Sequence, residues 1–108
     1  ESTIEAALER LAEIVPVAVI KRGGEGSLGR AGSTRASAPA IPVEPHDTTG
    51  AGDCFNAGFL YGYLHNLPLE TCLRCGNICG GLATTAHRSS ALPTVAQLES
   101  WLAQAGHE

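Results

Sequence analysis

Among its 108 residues the chain carries no Met and one Trp, and aromatic side chains fill only 5% of positions. With Glu1 first and no Met anywhere, it holds no residue from which translation could start. It is therefore expected to be a processed chain or a piece cut from a longer one. No apolar run approaches the roughly 18–20 residues that span a bilayer, and there is no basic leader or signal-type apolar segment at the N-terminus. Basic charge is also scarce: seven basic residues face eleven acidic ones, for a formal net charge of −4. The basic residues are scattered, with no run longer than Lys21-Arg22, which excludes an electrostatic nucleic-acid binder. A cytoplasmic protein with neither nucleic acid nor membrane among its partners is the expectation. No internal repeat or low-complexity tract is present.

What the chain does have is 44% hydrophobic and 17% charged residues, a composition that folds. Its length suits one modest core and excludes two full domains. Residues 2–15 read as an amphipathic helix, with Ser2 and Glu5 as a capping box and Ile4, Leu8, Leu11 and Val15 at helical spacing. Pro16 ends it. The β-branched run 17–21 predicts a buried strand, and Arg22–Gly26 a glycine-rich turn. Residues 27–43 predict one or two short strands with a turn at Gly32-Ser33, after which Pro39, Pro42 and Pro45 carry an extended connection. Residues 51–65 predict a helix with Phe55, Phe59, Leu60, Tyr63 and Leu64 on one broad face. Leu67-Pro68 opens a second helix, with Leu69, Cys72, Leu73, Cys79, Leu82 and Ala86 in period. Thr94 and Gln97 form another capping box, heading a last helix that buries Val95, Leu98 and Leu102. This order suggests the trailing edge of an α/β layer structure.

The most informative stretch runs Asp47-Thr48-Thr49-Gly50-Ala51-Gly52-Asp53 and leads straight into an apolar helix. Small residues at 50–52 allow a ligand close to the backbone, and the unbonded N–H groups of a first helical turn attract anions, phosphate above all. A carboxylate at 53 is repulsive beside phosphate unless it has a task of its own. Accepting the proton of a hydroxyl that attacks phosphorus is such a task. On residue types alone, an ordinary loop with an acidic first turn accounts for the stretch equally well. Known phosphate motifs do not decide the matter: the Gly-Lys-Ser/Thr ending of a P-loop is absent, and Phe55 stands where G-x-G-x-x-G needs its third glycine.

The whole string Asp47-Thr48-Thr49-Gly50-Ala51-Gly52-Asp53-Cys54-Phe55 resembles the D-T-x-G-A-G-D-x-F signature of PfkB (ribokinase-like) carbohydrate kinases. Val19-Ile20-Lys21-Arg22-Gly23-Gly24-Glu25-Gly26 looks like that family's strand and G-x-x-G turn, which lines the nucleotide site. Asn77, within Gly76-Asn77-Ile78-Cys79-Gly80, is similar to the helical Asn that flanks the nucleotide's base. The resemblance spans essentially the whole chain. It implies the C-terminal part of a ribokinase-like three-layer αβα fold, and transfer of the γ-phosphoryl group of ATP, with Mg²⁺, to a hydroxyl of a sugar, nucleoside or related alcohol. It makes Asp53 the catalytic base that meets the substrate hydroxyl, and the N–H groups of Gly50, Ala51, Gly52 and Asp53 the anion hole. Lys21, Gly23, Gly24, Gly26 and Asn77 fall on the nucleotide side. For Lys21, a solvated strand end is an equal alternative.

Asp47 and Thr49 match positions that help bind an activating monovalent cation such as K⁺ in some members, although Arg88 and Ser89 stand where members usually place glycine. The family's N-x-x-E motif, which organises Mg²⁺, occurs nowhere in the chain. The resemblance therefore implies the C-terminal third of a kinase, without the sugar-binding part and lid. Such a piece is expected to be inactive alone, and a homodimer of the full-length protein is an assembly the family allows. The rival reading is a non-catalytic nucleotide-binding or interaction module that keeps the fold. Cys72, Cys75 and Cys79 are spaced like metal ligands, yet their three- and four-residue steps also place them on one helix face as small core residues, the reading preferred here. His65 is expected to serve a helix C-terminus. Tyr61, Tyr63 and Trp101 are expected to pack in or beside the core.

Overall fold

The structure is a computed structural model that describes residues 3–43, 50–85 and 93–105. Helix α1 (Thr3–Ala12) leads into strand β1 (Val17–Lys21), a single 3₁₀ turn at Gly23–Glu25, and strands β2 (Ser27–Ala31) and β3 (Thr34–Ala38). Helices α2 (Ala51–Leu64), α3 (Leu69–Thr84) and α4 (Val95–Ala105) follow. The strands form an antiparallel sheet in the order β1-β2-β3, with Ala18 opposite Arg30 and Arg30 opposite Arg35.

Strand alternation decides which helix meets which face. Ala18, Ile20 and Leu28 point to α1, where Leu8 and Ile4 complete a small cluster. Glu9 of α1 pairs with Arg30 and Arg35 and ties the helix to β2 and β3. Val17, Val19, Ala36 and Ala38 point the other way, against Phe55 and Phe59 of α2 and Cys72 and Leu73 of α3. The result is three layers, helix, sheet and helices. Behind them α4 packs Leu98, with Trp101 and Leu102, onto Cys75, Ile78 and Cys79 of α3.

Element ends follow local chemistry. Gly26 has φ 93°, and a Cβ there would lie 2.0 Å from the Ala38 carbonyl oxygen, so only glycine closes the turn between β1 and β2. At the end of α2, Asn66 adopts φ 59° while Leu67 N–H bonds Gly62 O and Asn66 N–H bonds Tyr63 O, a Schellman closure with Asn in the left-handed seat. Thr94 and Gln97 make the reciprocal capping box: Thr94 N–H donates to Gln97 Oε1 at 2.9 Å and Gln97 N–H to Thr94 Oγ1 at 3.1 Å. Ser2, the proposed cap of α1, lies outside the described residues.

Four expectations need correction. Strand β1 is not fully buried; it is a sheet edge in which only Ala18 is buried. Helix α1 stops at Ala12 rather than near Pro16, and Leu11, Ile14 and Val15 are exposed because the chain must already turn into β1, Pro16 disfavouring helix at the residue before it. The broad apolar face of α2 is split: Phe55 and Phe59 are buried, whereas Leu60, Tyr63 and Leu64 are half or more exposed. Val95 is exposed as well. Among the described residues no helix is long and apolar enough to cross a membrane.

Candidate functional site

The site is built where the end of β1 meets the start of α2. Gly50 occupies the N-cap of α2 at φ 79°, ψ −1°, and offers no side chain to cap the helix. A left-handed N-cap is costly for any residue with a Cβ, which accounts for glycine here. The N–H groups of Ala51, Gly52 and Asp53 have no acceptor within the helix, because a helix's first turn has none. Gly52 and Asp53 are exposed, and Asp53 is the one acidic side chain of that turn. Open N–H groups, a helix dipole and a solvent-facing carboxylate are thus gathered within four residues.

Lys21, at the last position of β1, reaches this turn. Its Nζ lies 3.5 Å from where a Cβ on Gly52 would stand, donates to Asn56 Oδ1 at 3.2 Å, and sits 5.4 Å from the centroid of the Phe55 ring. The ammonium, although exposed, is therefore placed beside the open N–H groups. It adds a full positive charge to the partial one of the helix N-terminus. Gly23 and Gly24 are exposed with open space around them, while Gly26 is buried against the Ala38–Pro39 backbone. Arg22 pairs with Glu25 across this second turn at 3.7 Å.

Asn77 is 8% exposed, on α3. Its Nδ2 donates to Ala38 O at 3.1 Å and Pro39 O at 2.8 Å, and its Oδ1 accepts from Ser27 Oγ at 3.0 Å. Both amide hydrogens are committed, so the side chain acts as a strut joining α3 to β2 and β3. It also borders a cavity of about 300 Å³ between the 39–42 segment, α3 and α4, walled by Pro39, Ile41, Arg74, Asn77, Trp101 and Gln104. Arg74 donates to the Leu102 carbonyl and holds α4 against α3. Trp101, expected to pack, also walls this cavity, and the helical period places Trp101 and Gln104 on one side of α4; Arg74, Gln104 and Asn56 carry no motif that marks them in the sequence.

Asp47 and Thr49 lie outside the described residues, as do Arg88 and Ser89. Cys54, Cys72, Cys75 and Cys79 are all buried thiols. Burial pushes Cys75 and Cys79 up to about 11, with neighbouring thiols adding to the effect, so both stay protonated near neutrality. Among the described residues no three His, Cys, Asp or Glu side chains gather as a metal site. The cysteines serve packing, as their helical spacing suggests. His65 caps α2, its Nδ1 lying 2.7 Å from Tyr61 O and its ring 4.3 Å from that of Tyr61.

The sequence profile described as pfkB family carbohydrate kinase matches residues 1–95. The 2-dehydro-3-deoxygluconokinase of Haemophilus influenzae is 39% identical over 100 residues, covering 89% of this chain and 32% of the relative. A structure described as a ribokinase II from E. coli, in complex with ATP and Mg²⁺, matches with a TM-score of 0.84 at 28% identity, covering 96% of this chain and 34% of that one. A fructokinase double mutant from Vibrio cholerae, bound to fructose, ADP and potassium ion, matches with a TM-score of 0.75 at 31% identity, covering 94% and 35%. The chain spans a third or less of the length of the curated relatives it matches. By sequence and by fold, this chain belongs to the pfkB family of carbohydrate kinases.

Proposed function

We propose that the chain is the C-terminal, nucleotide-facing part of a kinase that transfers the γ-phosphoryl group of ATP to a hydroxyl of a sugar or related alcohol. The observation that carries this reading is the open first turn of α2, with exposed Asp53 on it and the Lys21 ammonium beside it. Asp53 takes the proton of the attacking hydroxyl while the new O–P bond forms and the bond to the ADP oxygen breaks. The N–H groups of Gly50, Ala51, Gly52 and Asp53 stabilise the charge on the transferred group. Lys21, with the turn Gly23, Gly24 and Gly26, meets the rest of the phosphate chain, and Asn77 with its cavity forms the wall at the base.

An anionic phosphate chain fits this donor set. For Mg²⁺ the described residues bring one carboxylate to the turn, Asp53, so the metal is assigned to the phosphates and to parts of the protein outside this chain. When bound, Mg²⁺ supplies charge neutralisation of the phosphates. Asp47 and Thr49 are the candidates for a K⁺ site, and the K⁺-bound fructokinase relative supports keeping them. The portion that chooses the sugar is assigned to the two-thirds of the relatives that this chain does not span, and with it any homodimer contact. Four buried thiols suit a reducing, cytoplasmic compartment.

The test is phosphoryl transfer from ATP by the full-length protein over a panel that begins with 2-dehydro-3-deoxygluconate and fructose, the substrates its relatives' names suggest. Asp53→Asn is expected to lower turnover at least about 100-fold, the low end for a positioned base, with an unchanged melting temperature. The isolated chain is expected to be inactive. Near-normal turnover by Asp53→Asn sinks the assignment of the base. A full-length protein that binds ATP without phosphorylating any of the panel points instead to a non-catalytic nucleotide-binding module.

A further inference from the structure

Lys21 does not reach the α2 turn unaided. Its ammonium is held by two successive side chains of that helix, the Asn56 amide oxygen at 3.2 Å and the Phe55 ring face at 5.4 Å. Asn56 is exposed, so water alone would satisfy its amide, and packing does not require it there. It stands three residues after Asp53, which puts both on the same side of the helix's first turns. A lysine stem has four carbons and is costly in rotamer entropy to order. An ammonium has three donors, of which Asn56 takes one and leaves two for oxygens of an anion. The place where it is held lies against Gly52, whose missing side chain keeps the approach open.

We propose that Asn56 is a positioning residue for phosphate binding, which fixes the Lys21 ammonium beside the N–H groups of residues 51–53 before the anion arrives. The proposal rests on the kinase reading above. Asn56 does not itself meet the phosphate; it acts through Lys21, and Phe55 supports the same geometry from inside the fold. The energetic gain is preorganisation: the bound state no longer has to order a long side chain.

The experiment uses the full-length protein and reads both the dissociation constant of a non-hydrolysable ATP analogue and the split between KM and kcat. Asn56→Leu keeps the side chain's size and removes the acceptor; Asn56→Ala is the second variant should the first fail to fold. Either is expected to weaken the analogue and raise KM for ATP about threefold to tenfold, the scale of one ordered side chain, with kcat within about twofold and KM for the sugar unchanged. In a Lys21→Met background the same Asn56 substitution is expected to add nothing, the signature of a residue that acts through another. Unchanged nucleotide affinity overturns the inference, and so does an equal loss in the Lys21→Met background. Wild-type protein that binds the analogue while Asn56→Leu binds it equally well leaves the kinase reading standing and removes only this step. Wild-type protein that binds no nucleotide removes both.

Discussion

At its first turn α2 leaves room, and along its middle it leaves none. Among the described residues a Cβ on Gly52 would meet only Lys21 Nζ, at an ordinary 3.5 Å, whereas one on Gly58 would lie 2.4 Å from the Cys75 carbonyl oxygen and 2.8 Å from Cys79 Sγ. On the facing helix, a Cβ on Gly76 would fall 2.7 Å from the Phe55 ring. One residue type on one helix thus does two jobs. In the middle it lets two helix backbones close on each other, with the thiols of Cys72 and Cys79 lying against Gly62 and Gly58. At the end it keeps the backbone N–H groups reachable from outside. Interior packing tolerates little added volume, whereas the first turn has volume to spare, and the proposed anion binding depends on leaving that volume empty.

The widest separation between the two regions comes from Gly58→Ala. The added methyl points at a main-chain carbonyl, so α2 and α3 must move apart, and the small gain in helix propensity does not offset that. A loss of about 1–3 kcal/mol is expected, the usual cost of overpacking, seen as a lower urea midpoint in the full-length protein. A neutral Gly58→Ala would show the helix interface to be slack and erase the contrast.

Ser27→Ala probes the interior at a polar point. Ser27 is fully buried, and its hydroxyl is the donor to Asn77 Oδ1 at 3.0 Å. Removing it strands a buried acceptor while both Nδ2 bonds remain. A loss of about 1–2 kcal/mol is expected, again by urea denaturation. If the Asn77 strut is also the wall of the nucleotide's base, ATP affinity falls with it; if the strut is purely structural, affinity holds.

These contrasts also show which parts were legible in the residues alone. Strand β1, the hairpin at Gly32-Ser33 and the Thr94–Gln97 box depend on neighbours within a few positions, and all three stand where the local pattern puts them. The buried face of α2 was misread because its apolar residues surround the helix. What selects the face is the pair Gly58 and Gly62, which permit close approach to Cys75 and Cys72 of α3, and Leu64 is left 74% exposed on the other side. Hydrophobicity is a poor guide when the contact is made by residues without side chains. At the site, the glycine-rich string from Gly50 to Asp53 predicts the start of a helix, and it stands there, with Gly50 at the N-cap of α2 and Asp53 in its first turn, because that geometry is local. The link from Lys21 to Asn56 spans 35 positions, and Asn77 joins Ser27 across 50, so neither was visible before the sheet and helices were placed.

Gly52→Ala is the smallest change and the sharpest test of what the open turn is for. The position has no left-handed requirement, and the new Cβ makes only ordinary contact with the Lys21 ammonium. Alanine favours helix over glycine and restricts the unfolded chain, so stability is expected to hold or rise by about 0.4–1 kcal/mol. Nucleotide binding should move the opposite way, because the methyl adds bulk 3.5 Å from the ammonium that, in the proposed reading, shares an anion with the N–H groups of the turn. Thermal melting and ATP-analogue titration of the same full-length variant separate the two effects. A raised melting temperature with weakened ATP binding means the first turn of α2 trades stability for access. Unchanged binding would mean that the anion approaches from the Asp53 side alone, and that the emptiness at Gly52 has no bearing on function.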